Sequence, residues 1–155
     1  MSTQTTATGI VDAAAGDAPP RPATKTAVLL RDDLAPWQRL NVTAFLASGV
    51  TARHPDLVGL PYADADGQAY LPLLGQPVLV FEATGALLAT ARERALTRGV
   101  DVAVFTADMF ATGHDAANRA VVARVAGADL DLVGLAVHGA RGAVDKVVKG
   151  ARLHP

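Results

Sequence analysis

Short, uninterrupted apolar runs that alternate with helix-period segments constrain this chain more than any other feature of its sequence. Ala27-Val28-Leu29-Leu30 is continuously apolar, the pattern of a strand buried on both faces. Residues 77–81 and 100–105 read the same way, and 130–137 form a fourth strand. After the first run, Val42, Phe45, Leu46, Gly49 and Val50 recur at i, i+3, i+4, i+7 and i+8. That spacing predicts one face of a helix over 37–52. Asp32 or Asp33 is placed to cap this helix, and Pro36 suits its first turn. Thr84 is placed to cap a second helix running to Arg98, with Gly99 ending it. Asp115 is placed to cap a third, whose Asn118, Val121, Val122 and Val125 share a face. A fourth helix is predicted over 140–149, ending at Gly150. Asp66-Gly67 predicts a hairpin turn between 57–62 and 68–71. Alternating strands and helices imply an α/β domain, a sheet covered by helices in three-layer fashion with several parallel pairs.

Residues 1–24 differ from the rest. They are rich in Ala, Thr, Gly and Pro, and Ile10 and Val11 offer little to bury. Such a segment cannot offset its ordering entropy and is expected to be a disordered tail, with Pro19-Pro20-Arg21-Pro22 as an extended linker. Residues 25–155 are then one folded domain. Half of the 155 residues are apolar and 19% are charged, enough to build a core. Fourteen Lys and Arg against fifteen Asp and Glu give a net charge of −1. That balance argues against a dedicated nucleic-acid binder, which neutralises phosphates with a basic excess.

The absence of cysteine excludes disulfides, thiolate nucleophiles and Cys-ligated metals. The chain shows no basic start followed by a long apolar stretch, and Gln76, Pro77 and Glu82 interrupt the best candidate for a membrane span. The expected location is the cytoplasm, with no membrane contact. Ser2 lies in the tail and Ser48 inside a helical pattern, with no nucleophile elbow around either. No phosphate-cradling loop or dinucleotide fingerprint follows the first strand, and Gly134, Gly139 and Gly142 fit neither spacing. Asp64-Ala65-Asp66-Gly67 resembles part of a calcium loop, but Tyr62 and Leu73 would then fill its first and last ligand positions. A plain turn is the better reading. His54, His114, His138 and His154 are too widely spaced to suggest a metal site, and a surface or capping role is expected for each.

Two polar segments at strand ends remain, and the crevice beyond such ends is where open α/β sheets bind ligands. The first is Arg31-Asp32-Asp33-Leu34-Ala35-Pro36-Trp37-Gln38-Arg39-Leu40-Asn41. Trp37 and Asn41, one helical turn apart, are expected to face the same side, along with Ser48. An aromatic plate beside an amide suits a ligand wall; in the plainer alternative Trp37 covers the core and Asn41 satisfies a local hydrogen bond. The second segment, 106–115, gathers Thr106, Asp108, Thr112, His114 and Asp115. Asp108 can act as a general base, Thr112 can position water or substrate, and His114 can serve as an acid or donor. Helix capping by Thr106, Asp108 and Asp115 is the plainer alternative, and for Asp115 the better one. Asp145 and Lys149 read as an ordinary i, i+4 surface pair.

The same residues carry a family resemblance. Residues 28–38, Asn41-Val42-Thr43-Ala44-Phe45, Phe110-Ala111-Thr112-Gly113-His114-Asp115 with Asn118, Leu132-Val133-Gly134 and 144–150 closely resemble the bacterial domain-of-unknown-function family number two thousand. That family is similar, distantly, to the archaeal and eukaryotic type (class II) of peptidyl-tRNA hydrolase. Arg31-Asp32-Asp33-Leu34 resembles the hydrolase's opening Arg-x-Asp-Leu, and Val144-Asp145-Lys146-Val147 its closing helix. Asp108 and Thr112 keep the spacing of an Asp and a Thr that the hydrolase carries after its third strand. The resemblance implies a compact, mixed sheet of about four strands flanked by helices, and it allows a homodimer. Where the hydrolase opens its first helix with lysines, this chain has Pro36, Trp37, Gln38, Arg39 and Asn41, which removes phosphate attraction and favours a small, partly apolar ligand.

These readings converge on a pocket protein, an enzyme without metal or organic cofactor that works by general acid–base chemistry on an acyl- or amide-containing small molecule. Asp33, Trp37, Gln38 and Asn118 would bind; Asp108 would activate a water held by Thr112, with His114 as acid and Asn41 polarising the carbonyl. Hydrolysis of peptidyl- or aminoacyl-tRNA through Arg31, Arg39, Lys146 and Lys149 is the first alternative, with tRNA a disfavoured partner. A non-catalytic binding or regulatory module is the second.

Overall fold

Strand β1 (Thr24–Arg31) lies at the centre of a five-stranded sheet, which explains why its run from Thr26 to Leu30 is buried throughout. The computed structural model describes residues 20–155, so the tail expected over 1–24 falls almost entirely outside the described residues. The strand order is β5 (Asp101–Thr106), β6 (Leu132–Ala140), β1, β4 (Val78–Ala83), β7 (Arg152–Leu153). Only β1 and β4 run parallel; β6 is antiparallel to both β1 and β5, and β7 to β4. The sheet is therefore mixed, as the resemblance implies, but with one parallel pair rather than several. It also has five strands rather than about four, because the C-terminal residues return to the edge and pair with Phe81 and Glu82.

Helix α1 (Pro36–Arg53) covers one face and helices α2 (Gly85–Thr97) and α4 (Arg141–Val147) the other. Alternate residues of β1 point to opposite faces, so Val28 and Leu30 join Val42, Leu46 and Val50 of α1. Ala27 and Leu29 join Leu88, Ala91, Ala95, Val144 and Val147 on the far side. The helical stripe predicted over 37–52 is thus real for Val42, Leu46 and Val50, whereas Gly49 is exposed and Phe45 more than half exposed. Gly134 of β6 sits directly under α1: a Cβ there would come within 2.6 Å of Val42 Cγ1 and 3.1 Å of Leu46 Cδ1. Absence of a side chain lets α1 approach the sheet.

Several local expectations shift for identifiable reasons. Neither Asp32 nor Asp33 caps α1; Gln38 Oε1 accepts the Ala35 N–H (2.9 Å) instead, and Asp33 pairs with Arg31 at 2.6 Å. Thr84 does cap α2, accepting from Leu87 N at 3.2 Å, and Gly99 ends it at φ +61°. His114, not Asp115, caps α3 (Asp115–Ala123), its Nδ1 accepting the Ala117 N–H at 3.2 Å. Strand β6 continues to Ala140 because it is laddered along the whole of β1, and α4 is correspondingly shorter. Lys149 therefore lies beyond α4, and Asp145 pairs with Lys25.

The hairpin predicted around Asp66-Gly67 forms a separate two-stranded unit, β2 (Tyr62–Ala63) with β3 (Ala69–Tyr70). Its ladder is shorter than predicted because Pro61 and Pro72 cannot donate to it. Asp64 Oδ1 accepts from Asp66 N and Gln68 N, and Gly67 adopts φ +83°. This is the expected plain turn.

Candidate functional site

The carboxyl end of β5 and the start of α1 bring the two polar segments together. After β5 the chain makes a short 3₁₀ turn, Ala107–Ala111, and then enters α3. Trp37 and Asn41 of α1 face Thr112, His114 and Asn118 across one cavity of about 640 Å³. Phe45 continues the Trp37–Asn41 stripe one turn further along α1 and lines the same cavity. Ser48, expected on that side, does not line it and donates to the Phe45 carbonyl at 2.6 Å.

The cavity is unusually aromatic for this chain. Trp37 is its sole tryptophan, and Phe45, Phe105 and Phe110 are three of its four phenylalanines. Their rings form a connected series: Trp37 meets Phe110 edge-on at 5.8 Å, Phe110 meets Phe105 at 5.2 Å, and Phe105 meets Phe45 edge-on at 6.0 Å. Trp37 is nevertheless 61% exposed, so it forms a wall rather than a cover for the core. Such rings offer a large apolar surface for few rotatable bonds.

The polar side is held by local hydrogen bonds. The Thr112 hydroxyl lies between the Met109 carbonyl (2.8 Å) and the side-chain amide of Asn118, which ties the 3₁₀ turn to α3. Because His114 Nδ1 accepts a backbone N–H, the neutral ring carries its proton on Nε2. Asp115 and Arg119, one helical turn apart, form an exposed ion pair at the rim. Asn41 presents an exposed amide opposite them.

The remaining predicted residues stand apart from the cavity. Asp108 is exposed on the 3₁₀ turn and does not line it. Asp33 is engaged by Arg31, and Gln38 by the backbone at the start of α1. Phe45, Phe105, Phe110 and Arg119 line the cavity without having been predicted to. Phe45 was legible as the i+4 neighbour of Asn41; the others depend on where the 107–111 turn sets α3.

Two of the four basic residues named for the tRNA alternative, Arg31 and Arg39, are held by carboxylates. Arg31 bonds to Asp33 and Asp131, and these carboxylates, Asp33 foremost, raise its pKa above the ordinary value. Arg39 pairs with Glu82 and donates to the Asp32 and Leu34 carbonyls. Lys146 belongs to α4 on the opposite face of the sheet from α1. Nor is every histidine a surface residue, since His138 is 5% exposed and shares a hydrogen bond with Thr26. Among the described residues no helix is long and apolar enough to cross a membrane, and no group of three or more His, Cys, Asp or Glu is arranged to hold a metal ion.

A solved structure of a protein of unknown function from Agrobacterium tumefaciens is similar to this chain, with 45% identity and a TM-score of 0.85. The similarity covers 87% of this chain and all of that one. No curated protein matches the chain significantly. Residues 24–155, everything from the first residue of β1 onward, match the family described as protein of unknown function (DUF2000), and the chain belongs to that family.

Proposed function

We propose that the protein binds a small, partly apolar molecule bearing an acyl or amide group, in the cavity between α1 and α3. The observation that carries this reading is the pairing of one aromatic wall with one polar wall. Trp37, Phe45 and Phe110 supply apolar surface, while Asn41 and the Thr112–Asn118 pair supply hydrogen-bonding groups. A cavity of about 640 Å³ falls within the size range of small-molecule sites. Asn41 is suited to donate to a carbonyl oxygen, and His114 Nε2–H is a second donor on the facing wall. Acid–base chemistry on the bound group then falls to His114 and Asp115, the imidazole and the carboxylate that line the cavity, rather than to Asp108.

Trp37, as the sole tryptophan, makes the test direct. Its emission is followed during titration with a series of small acyl and amide compounds, and the same mixtures are assayed for turnover. A saturable change that Asn41→Ala weakens supports the reading. Product formation lost in His114→Gln adds the catalytic role, and binding without product assigns a non-catalytic module. Folded wild-type protein that gives no saturable change across the series overturns the proposal.

We also infer a distant relationship to the class II peptidyl-tRNA hydrolases, supported by Arg31-Asp32-Asp33-Leu34 and Val144-Asp145-Lys146-Val147. Hydrolysis of tRNA esters is the weaker functional reading, because Arg31 and Arg39 are already engaged by carboxylates. It predicts salt-sensitive tRNA binding and ester cleavage; absence of both removes it.

A further inference from the structure

The side chains that line the Trp37–Asn41 cavity offer a ligand more hydrogen-bond donors than acceptors. Trp37 has only its indole N–H to give, His114 carries its proton on Nε2, and Arg119 has guanidinium N–H groups and no acceptor. Thr112 and Asn118 are taken up with each other and with the Met109 carbonyl. Asn41 brings a donor and an acceptor on one amide. Among the described residues that line the cavity, Asp115 is the one acid, and its carboxylate is turned onto Arg119 Nη1. A ligand whose polar end is rich in acceptors satisfies this set. One that must donate finds few acceptors unspent, and an unmatched polar group costs binding energy.

Charge narrows the choice. Arg119 is the one Lys or Arg among the lining residues, and Asp115 partly neutralises it. Both partners are exposed and stand at i, i+4, and such a pair is a weak interaction. The guanidinium is therefore free to share itself with a second carboxylate, which its planar fork of N–H groups fits bidentately. A single, half-compensated cation suits a monoanion, whereas a phosphate dianion would lack a second counter-charge.

We propose that the ligand of this cavity is a small carboxylic acid, bound as its carboxylate, with an aryl or branched-alkyl body. The carboxylate lies against His114 Nε2–H and Arg119, and Asn41 donates to it from the facing wall. The body lies on the connected rings of Trp37, Phe110, Phe105 and Phe45, which offer apolar surface at little entropic cost. The inference rests on the ligand reading above and narrows its acyl or amide group to a free acid.

The experiment follows Trp37 emission in the full chain at about pH 7.5, where carboxylic acids are ionised. The probes are hydrocinnamic and isocaproic acids, each beside its primary amide, and phenethyl phosphate. At least one acid is expected to bind about tenfold more tightly than its amide, the margin of a charge-assisted hydrogen bond over a neutral one. Arg119→Gln should remove that preference by weakening the acid while the affinity for the amide and the far-UV circular dichroism stay as they were. Asp115→Asn should strengthen the acid about threefold, because Arg119 loses a competing carboxylate and the ligand a repelling one. Amides that bind as tightly as the acids overturn the inference and leave the cavity reading standing. A preference for the acid that survives Arg119→Gln, or tighter binding of the phosphate than of either acid, does the same. Folded wild-type protein that shows no saturable change with any probe overturns the inference together with the reading on which it rests.

Discussion

Thr26 Oγ1 and His138 Nδ1 lie 2.8 Å apart at directly paired positions of β1 and β6, both buried in the sheet. The His138 ring also lies 4.4 Å from the ring of His54, which in turn bonds to Asp101 Oδ2 at 2.8 Å. Burial first, and His54 second, lower the pKa of His138 below its ordinary value, against smaller opposing effects of Asp56 and Asp101. The unfolded chain therefore binds the proton more readily than the folded one. This contribution to stability is complete above about pH 6.5 and is lost as pH falls through the folded-state value. Denaturant unfolding at a series of pH values should show the decline, and His138→Gln should flatten it. A wild-type slope equal to that of the variant would refute the assignment.

Gly134→Ala should destabilise the domain by about 1–3 kcal/mol, the usual penalty of overpacking. Its Cβ would meet Val42, Leu46 and the Leu29 carbonyl at 2.6, 3.1 and 3.3 Å, and backbone and β-branched neighbours cannot yield as a flexible chain end can. Gly127→Ala provides the contrast, because its Cβ would meet the mobile end of Arg92. Chemical denaturation of the two variants should separate them clearly.

Glu82 gathers Arg39 from α1 with Arg152 and His154 from the C-terminal segment. The hydrogen bond from Arg39 is the chief reason its carboxyl is held below the ordinary range. Its contribution is thus present when the carboxylate is ionised in both states and is lost as acid protonates it in the fold. Glu82→Gln should loosen β7 before the rest of the sheet. Hydrogen exchange at the His154 amide, which donates to the Val80 carbonyl at 2.9 Å, reads this directly; unchanged protection would count against it.

Removing the Thr112 hydroxyl should free α3, which packs substantially only on the 107–111 turn among the named elements. Thr112→Val loses the bonds to Met109 and Asn118, a local loss of roughly 1 kcal/mol. Amide exchange should quicken across 115–123 while β1 and β6 stay protected.

Asn41→Ala should weaken a ligand found by Trp37 fluorescence about tenfold, the loss of a single hydrogen bond to a carbonyl. Asp108→Ala should leave that affinity unchanged, since Asp108 lies outside the cavity. Equal losses in both would return the site to the arrangement expected from spacing alone.

Much of the molecule was legible from periodicity. The apolar run at 27–30, the stripe of Val42, Leu46 and Val50, the Thr84 cap and the Gly67 and Gly99 turns all depend on neighbours within a few residues. The convergence of Trp37 and Asn41 with Thr112, His114 and Asn118 was legible too, because strand ends feeding helices share one side of an α/β sheet. Side-chain direction was not. Asp108 and Thr112 sit four residues apart as spacing suggested, yet a tight 3₁₀ turn and the start of α3 leave only Thr112 on the cavity.

By itself, the sequence determined where the elements lie and which of their faces are apolar, since local backbone preference and side-chain period act over a few residues. Only the tertiary structure decided that His138 is buried against Thr26, that Glu82 ties the C-terminus to α1, and that Gly134 is the contact point of helix and sheet. Each of these joins residues tens of positions apart. Their partners are set by strand order and register, and those follow from how the whole chain packs rather than from any segment of it.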